Sequence, residues 1–301
     1  IIPHSNVHRL FTATNHWYNF SSEDVWTLFH SYAFDFSVWE IFGALLYGGK
    51  LVIVPQEEVS SPDKFIVLLK KEKVTVLNQT PSYFNQVIAY VDSLPSKINL
   101  SLKYVIFGGE ALDHKALEPW FKIYGYDSPK LINMYGITET TVHVTYMPLN
   151  KSISNTNKSV IGKGIGDFPL YLLDKNLNLM PRGLVGELYV GGAGLARGYL
   201  NLPELTAQRF IDNPYASEKE KEKGWNRLYK TGDLVRYGNN GDIEYVGRID
   251  EQVKIRGYRI ELGEIESNLK KQPNIKDAVV LVKEKGGDKS KAVLDVGSFY
   301  S

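Results

Sequence analysis

The residues best equipped for chemistry gather in one run, Asn133-Met134-Tyr135-Gly136-Ile137-Thr138-Glu139-Thr140-Thr141. The run lacks apolar periodicity, so it reads as a loop rich in oxygen donors. A tyrosine ring can stack on a purine, a threonine hydroxyl can donate to a phosphate oxygen, and a glutamate is a hard ligand suited to Mg²⁺. Taken alone, the run reads equally well as a polar surface loop. In Tyr229-Lys230-Thr231-Gly232-Asp233-Leu234 a carboxylate follows a glycine turn, where it could accept hydrogen bonds from both hydroxyls of a ribose. Thr-Gly-Asp is also a common β-turn. Glycines from Gly186 to Gly194, followed by Arg197-Gly198-Tyr199-Leu200, lack the strand, glycine loop and helix order of a dinucleotide fingerprint and read as turn glycines.

The surrounding sequence has to supply a frame that holds such loops. Trp39 to Tyr47 reads as a helix ended by Gly48-Gly49, and Leu51 to Val54 as a short buried strand stopped by Pro55. Then follow an amphipathic Pro62 to Lys71, a strand at Val74 to Leu77, a helix at Pro81 to Val91, a strand at Leu102 to Phe107, a helix at Asp113 to Tyr124 and a strand at Leu131 to Met134. Apolar strands alternating with helices predict an α/β fold, a parallel sheet covered on both faces. Ligands in such sheets sit at the carboxyl ends of the strands. The polar residues Asn78, Gly108-Gly109-Glu110 and Asn133 to Thr141 fall there. After Pro148 the texture changes to strands with glycine turns (Pro169 to Asp174, Gly186 to Gly191, Asp242 to Val246), which predicts a β-rich lobe. Ala216 to Lys223 reads as a solvated loop. A hairpin-like Gln252 to Ile260, a helix from Glu261 to Lys271 and a strand at Ala278 to Val282 read as the start of a small α+β domain.

Composition narrows the classes of function. The 301 residues carry a formal net charge of +1, 43% hydrophobic and 23% charged residues, and no cysteine. A near-neutral chain offers no field for a polyanion, so nucleic acid is not an expected partner. The most apolar stretch, Val38 to Val54, is interrupted by Glu40, Gly48, Gly49 and Lys50, so no membrane span is expected. Without thiols there are no disulfides or thiolate metal sites, and cytoplasm is the expected compartment. The chain opens in mid-pattern at Ile1-Ile2-Pro3, which reads as upstream sequence being absent.

Phe34-Asp35-Phe36-Ser37, Asn-x-Tyr-Gly-x-Thr-Glu at Asn133 to Glu139, Gly-Glu-Leu at Gly186 with Ala-Arg-Gly-Tyr at Ala196, Tyr-Lys-Thr-Gly-Asp-Leu at Tyr229, and the run from Gly247 to Glu266 occur in one order at compatible spacings. The combination resembles the adenylation domains of nonribosomal peptide synthetases, within the adenylate-forming superfamily, over about residues 1–283. The resemblance implies an adenylate-forming fold, with residues 1–249 in a large subdomain and 250–301 as hinge and start of a small one. It implies ATP and Mg²⁺ as cofactors and the phosphopantetheine of a peptidyl carrier protein as acceptor. Neighbouring synthetase domains, and a small helper protein, are further expected partners. By resemblance Tyr135 stacks on adenine, Asn133 bonds its amino edge, Thr138 touches the α-phosphate and Glu139 holds Mg²⁺. Asp233 binds the ribose hydroxyls, Arg248 sits near ribose and phosphate, and Asp250 is the hinge about which the small domain turns between adenylation and thioester formation.

Asp35 lies between Phe34 and Phe36, where a buried carboxylate is costly unless a cation meets it. The α-ammonium of an amino acid is the natural partner, and the resemblance gives Asp35 that role; the alternative is a solvent-facing helix-cap Asp. The remaining pocket positions carried over by resemblance are Phe36, Trp39, Asn78, Ile106, Gly108, Met134, Val142 and His143. Phe36, Trp39, Ile106, Met134 and Val142 would build apolar walls, while Asn78 and His143 could each bond a hydroxyl. The set resembles the signature associated with threonine. A lone buried histidine is ordinarily satisfied by backbone groups, and only its company argues otherwise here.

Two pieces of the family pattern are expected and not found: a Gly/Ser/Thr-rich phosphate loop ahead of Pro3-His4-Ser5-Asn6, and a lysine near the carboxyl end that contacts the acyl carboxylate. The expectation is that these residues alone do not form an aminoacyl adenylate. Val293 to Ser301 does not continue in the usual way, and its Val-Leu-Asp-Val-Gly bears a faint likeness to a methyltransferase strand. Competing readings are an acyl-CoA ligase of the same superfamily, disfavoured by Asp35, and a non-catalytic interaction domain.

Overall fold

The structure is a computed structural model. It describes residues 1–151, 158–166, 168–250, 252–255, 258–272, 275–285 and 288–300. Of the motif running from Gly247 to Glu266, Glu251, Arg256 and Gly257 lie outside the described residues, as does Ser301 of the tail.

The first part alternates helices and strands: α1 (His4–Tyr18), β1 (Val25–Leu28), α2 (Phe36–Leu46), β2 (Lys50–Ile53), α3 (Gln56–Val59), α4 (Pro62–Lys71), β3 (Val76–Gln79), α5 (Pro81–Asp92), β4 (Tyr104–Phe107), α6 (Glu118–Tyr124) and β5 (Lys130–Asn133). These strands pair in parallel in the order β2-β1-β3-β4-β5. The sheet continues antiparallel through β6 (Thr145–Pro148) and β7 (Ser159–Gly164). It ends in a β-rich part made of β8 (Leu170–Leu173), β9 (Gly186–Gly191), α7 (Pro203–Arg209), β10 (Phe210–Asp212), α8 (Glu218–Glu222), β11 (Arg227–Tyr237) and β12 (Ile243–Arg248). There the order is β7-β12-β11-β9-β8, with β10 also on β11. After it come β13 (Val253–Ile255), paired with β14 (Tyr258–Ile260), then α9 (Leu262–Lys270), and β15 (Ile275–Lys285), paired antiparallel with β16 (Asp288–Tyr300).

The central parallel strands β3, β4 and β5 are covered on both faces. Alternate residues point to opposite faces of a strand. Val76, Ile106 and Ile132 accordingly join one apolar cluster with Trp26, Trp39 and Phe11. Their neighbours Leu77, Val105, Phe107 and Leu131 join another with Phe65, Phe84 and Trp120. Helix α4 illustrates the local coding. Pro62 sits in its first turn, Asp63 lies at the positive end and Lys70 and Lys71 at the negative end. Phe65, Ile66 and Leu69 are buried on one side. Truncating the fully buried Phe65 would cost about 3–5 kcal/mol.

Several elements differ from the sequence reading. Leu51 to Val54 is expected to be a buried strand, yet among the described residues β2 is the sheet edge beside β1, with half-buried or exposed side chains. Asp113 to Tyr124 splits into a 3₁₀ turn at His114–Leu117 and α6. Ala216 to Lys223, expected to be a loop, contains α8, started by a capping box in which Ser217 and Glu220 satisfy each other's backbone N–H. The charge run has no apolar stripe, so periodicity is silent there, while the Ser-x-x-Glu signature is not. Helix α1 and strand β1 went unread. Glu40 inside the apolar run is fully buried and satisfied: its Oε2 accepts from the backbone of Phe29 and His30, and its Oε1 lies 3.1 Å from His30 Nδ1.

Candidate functional site

The loop from Asn133 to Thr141 begins at the carboxyl end of β5 and is pinned back by its own continuation. Tyr135 O accepts from the N–H groups of Val144 and Thr145 at 2.7 and 3.0 Å. A Cβ on Gly136 would stand 2.0 Å from Val142 O, so only glycine lets the two backbone segments approach. Asn133 is buried and its Nδ2 donates to Val160 O at 2.8 Å. Thr138 presents its hydroxyl at the surface, whereas Glu139 is only 7% exposed.

Across the loop stands a cluster from β11 and β12. Tyr135 Oη donates to Asp233 Oδ2 at 2.5 Å, and Arg248 Nη1 donates to Asp233 Oδ1 at 2.9 Å. Antiparallel pairing sets Asp233 opposite Arg248. The Arg248 guanidinium then grips Asp250 with two bonds, Nε to Oδ1 at 2.6 Å and Nη2 to Oδ2 at 2.7 Å. Burial opposes the charge of Arg248, but the two aspartates hold its pKa above the ordinary value. Burial alone would raise Asp250, and the Arg248 bond reverses that and lowers it. The Tyr135 phenol is pushed up by burial and by Asp233, so it stays a proton donor. A narrow cavity of about 30 Å³ lies beside Tyr135, lined also by Gly109, Glu110, Ala111, Asn133 and Tyr245.

Glu139 is held from the β-rich part. Tyr199 Oη donates to its Oε1 at 2.7 Å and lies 3.2 Å from Tyr229 Oη. Burial and Glu139 together push the Tyr199 phenol up. Among the described residues no cluster of three or more His, Cys, Asp or Glu could enclose a metal. Mg²⁺, however, is usually held by one or two carboxylates plus substrate phosphates and water, so a single oriented Glu139 fits it.

The other half of the site is apolar with polar inclusions. Asn78 on β3 sits in register with Ile106 on β4, and both face the side of the sheet that carries α2. Phe36 and Trp39 come from α2, and Met134, Val142 and His143 from the loop after β5. The His143 ring meets Phe36 at 5.3 Å and Trp39 at 5.1 Å, both edge to face. A Cβ on Gly108 would come within 3.3 Å of Phe36 and 3.5 Å of His143, so the absent side chain leaves the space between them. Asn78 is 0% exposed and His143 2%, and among the described residues neither Nδ2 and Oδ1 of Asn78 nor Nδ1 and Nε2 of His143 has a hydrogen-bond partner. Trp39 Nε1 also lacks one. The alternative of a histidine satisfied by backbone finds no backbone partner for the ring among the described residues. Burial pushes His143 down to about 3, so the ring is neutral at physiological pH, with one nitrogen a donor and the other an acceptor.

Asp35 departs in part from expectation. It is half-buried, not buried, because it opens α2 at the N-cap position. Its side chain makes no capping bond; Oδ2 instead accepts from Thr138 Oγ1 at 2.9 Å. That bond joins the two halves of the site. Residues missed by sequence reasoning are Tyr199 and Tyr229, which orient Glu139, and Thr231, whose Oγ1 accepts from Asp233 N at 3.0 Å and donates to Leu188 O at 2.7 Å. Tyr199 and Tyr229 belong to motifs quoted for resemblance, but nothing in their spacing says which carboxylate they meet.

Residues 1–200 match the family model described as "AMP-binding enzyme". A dimodular nonribosomal peptide synthase of Bacillus subtilis is 54% identical over 301 residues, which are 99% of this chain and 12% of that protein. The chain thus spans about an eighth of that relative's length. Among solved structures, a Vibrio cholerae adenylation domain, AlmE, in complex with glycyl-adenosine-5'-phosphate is 28% identical with a TM-score of 0.82, covering 97% of this chain and 53% of that one. A nonribosomal peptide synthetase protein containing adenylation and PCP domains is 27% identical with a TM-score of 0.82, covering 99% and 57%. A single chain that carries this sheet, the loop after β5 and these likenesses belongs to the AMP-binding enzyme family, among the adenylation domains of nonribosomal peptide synthetases.

Proposed function

We propose that the domain activates L-threonine with ATP as threonyl-AMP and passes it to the phosphopantetheine thiol of a carrier protein in nonribosomal peptide synthesis. The observation that carries the threonine assignment is the pair of buried side chains of Asn78 and His143, both without a hydrogen-bond partner among the described residues, in walls that are otherwise apolar. Polar groups left unpaired in a dry site reject an analogue that lacks the matching hydroxyl. Phe36, Trp39, Ile106, Met134 and Val142 enclose the side-chain methyl, and Asp35 at the rim meets the α-ammonium.

In the first step a carboxylate oxygen of the amino acid attacks the α-phosphorus of ATP and pyrophosphate leaves. Tyr135 and Asn133 hold the adenine, Asp233 and Arg248 the ribose, and the surface-facing Thr138 hydroxyl turns from Asp35 Oδ2 to donate to an α-phosphate oxygen. Glu139 would hold Mg²⁺, which when bound neutralises phosphate charge. In the second step the thiol sulfur attacks the acyl carbon, AMP leaves and the thiol proton is released. Asp250 is the hinge between residues 1–249 and the following small subdomain. The aminoacyl-adenylate bound to AlmE and the carrier domain joined to a second relative support this order of events for a chain of this family. The test is pyrophosphate exchange into ATP by the full-length polypeptide against the twenty amino acids. Threonine is expected to give the highest kcat/KM; preference for an amino acid without a side-chain hydroxyl overturns the assignment.

A further inference from the structure

Val142 and Thr141 share an unusual backbone. Both have φ of +64°, although neither is glycine and both are β-branched. A β-branched residue in this region is an outlier that must be imposed by its surroundings. The N–H of His143 reaches back to Thr141 O at 2.8 Å, closing a tight γ-turn with Val142 at its centre. With φ positive this is the rare, strained form of the turn. It delivers the Val142 side chain and the His143 ring to the chamber in consecutive positions, which a regular strand would send to opposite sides.

What imposes the turn comes from far away in sequence. Asn6, in the first turn of α1 and buried, donates from Nδ2 to Leu195 O at 3.0 Å and to Thr141 Oγ1 at 3.3 Å. Thr141 Oγ1 in turn donates to Gly194 O at 2.8 Å. The hydroxyl therefore accepts from one side and gives to the other, a relay with a fixed direction that ties the strained residue to α1 and to the segment after β9. Gly136, pressed against Val142 O, closes the remaining side.

We infer that Asn6 is a specificity-positioning residue: through Thr141 it clamps the strained turn that presents Val142 and His143 to the amino-acid side chain. The inference rests on the reading that these two residues line the amino-acid pocket. Asn6 makes none of the bonds of the Tyr135–Asp233–Arg248 cluster, so amino-acid and nucleotide parameters should separate when it is changed.

The experiment uses the full-length polypeptide with Asn6→Ala, Thr141→Val and the double variant, assayed by pyrophosphate exchange with whichever amino acid the wild type prefers. Each single change is expected to raise the KM for the amino acid about tenfold while the KM for ATP stays within about twofold, a split that general loosening would not give. The double variant is expected to resemble either single one, because both break the same relay. If Asn6→Ala is too unstable to assay, Thr141→Val alone carries the test, since it removes the hydroxyl link and keeps the Asn6 bond to Leu195. An unchanged amino-acid KM, a parallel rise of both KM values, or additive effects would overturn the clamp. A wild type that prefers another amino acid defeats the threonine assignment and leaves this test standing.

Discussion

On the proposed nucleotide side, Asp233 meets Tyr135 and Arg248, Arg248 grips Asp250, and Glu139 accepts from Tyr199. On the amino-acid side, the side chains of Asn78 and His143 are as deeply buried and have no hydrogen-bond partner among the described residues. The difference reflects what each side receives. A charged side chain cannot be left buried and unpaired, so the carboxylates and the guanidinium neutralise one another before a ligand arrives. Neutral amide and imidazole groups can stay unsatisfied at a smaller cost, and that cost is recovered when a matching hydroxyl arrives. On the proposed reading, the charged side is assembled before a nucleotide binds, and the neutral side is where discrimination is stored.

The contrast can be attacked at several points. The largest effect should follow removal of Arg248, whose loss leaves the buried Asp233 carboxylate without its cation: Arg248→Ala should lower unfolding free energy in urea by about 3–5 kcal/mol and raise the KM for ATP. If stability hardly moved, the pre-assembled half of the comparison would fail. Next is Asp35→Ala, for which amino-acid-dependent pyrophosphate exchange should drop about 10²- to 10³-fold in kcat/KM, the scale of a lost charge-assisted contact, with ATP binding by calorimetry little altered.

Asn78→Leu should act in opposite directions on binding and folding. Replacing an unpaired amide by an apolar group of similar shape should stabilise the free protein by about 1–2 kcal/mol in thermal melts. It should also shrink the preference for threonine over valine by about 10- to 100-fold in kcat/KM. A destabilised Asn78→Leu would mean that the amide is already satisfied.

A further effect concerns pH. His143 stays neutral in the fold down to about 3, while the unfolded chain takes up a proton near 6.5. Unfolding is therefore favoured as pH falls from 6.5 toward 3, by about 2 kcal/mol at pH 5. That share of the acid sensitivity should vanish in His143→Phe, read from urea midpoints at pH 7 and pH 5.

Much of the frame was legible because it is local. Pro62 to Lys71 carries its own start, stop and apolar stripe, and Leu102 to Phe107 and Leu131 to Met134 are runs that only a two-faced sheet can use. Edge against centre was not legible for Leu51 to Val54, since an apolar run does not say how many neighbours it will have. Types of site residue could be read, but their satisfaction could not: the Thr138 bond to Asp35 spans 103 positions and the Tyr199 bond to Glu139 spans 60. Asn6 was invisible because one asparagine in a polar helix start gives no sign that it will reach Thr141, 135 positions on.

The most direct measurement is a crystal structure of the full-length enzyme with a non-hydrolysable threonyl-adenylate analogue. The α-ammonium is expected within hydrogen-bond distance of Asp35, and the side-chain hydroxyl bonded to Asn78 or His143. An analogue bound with its hydroxyl facing away from both, their polar atoms still unpaired, would contradict that expectation.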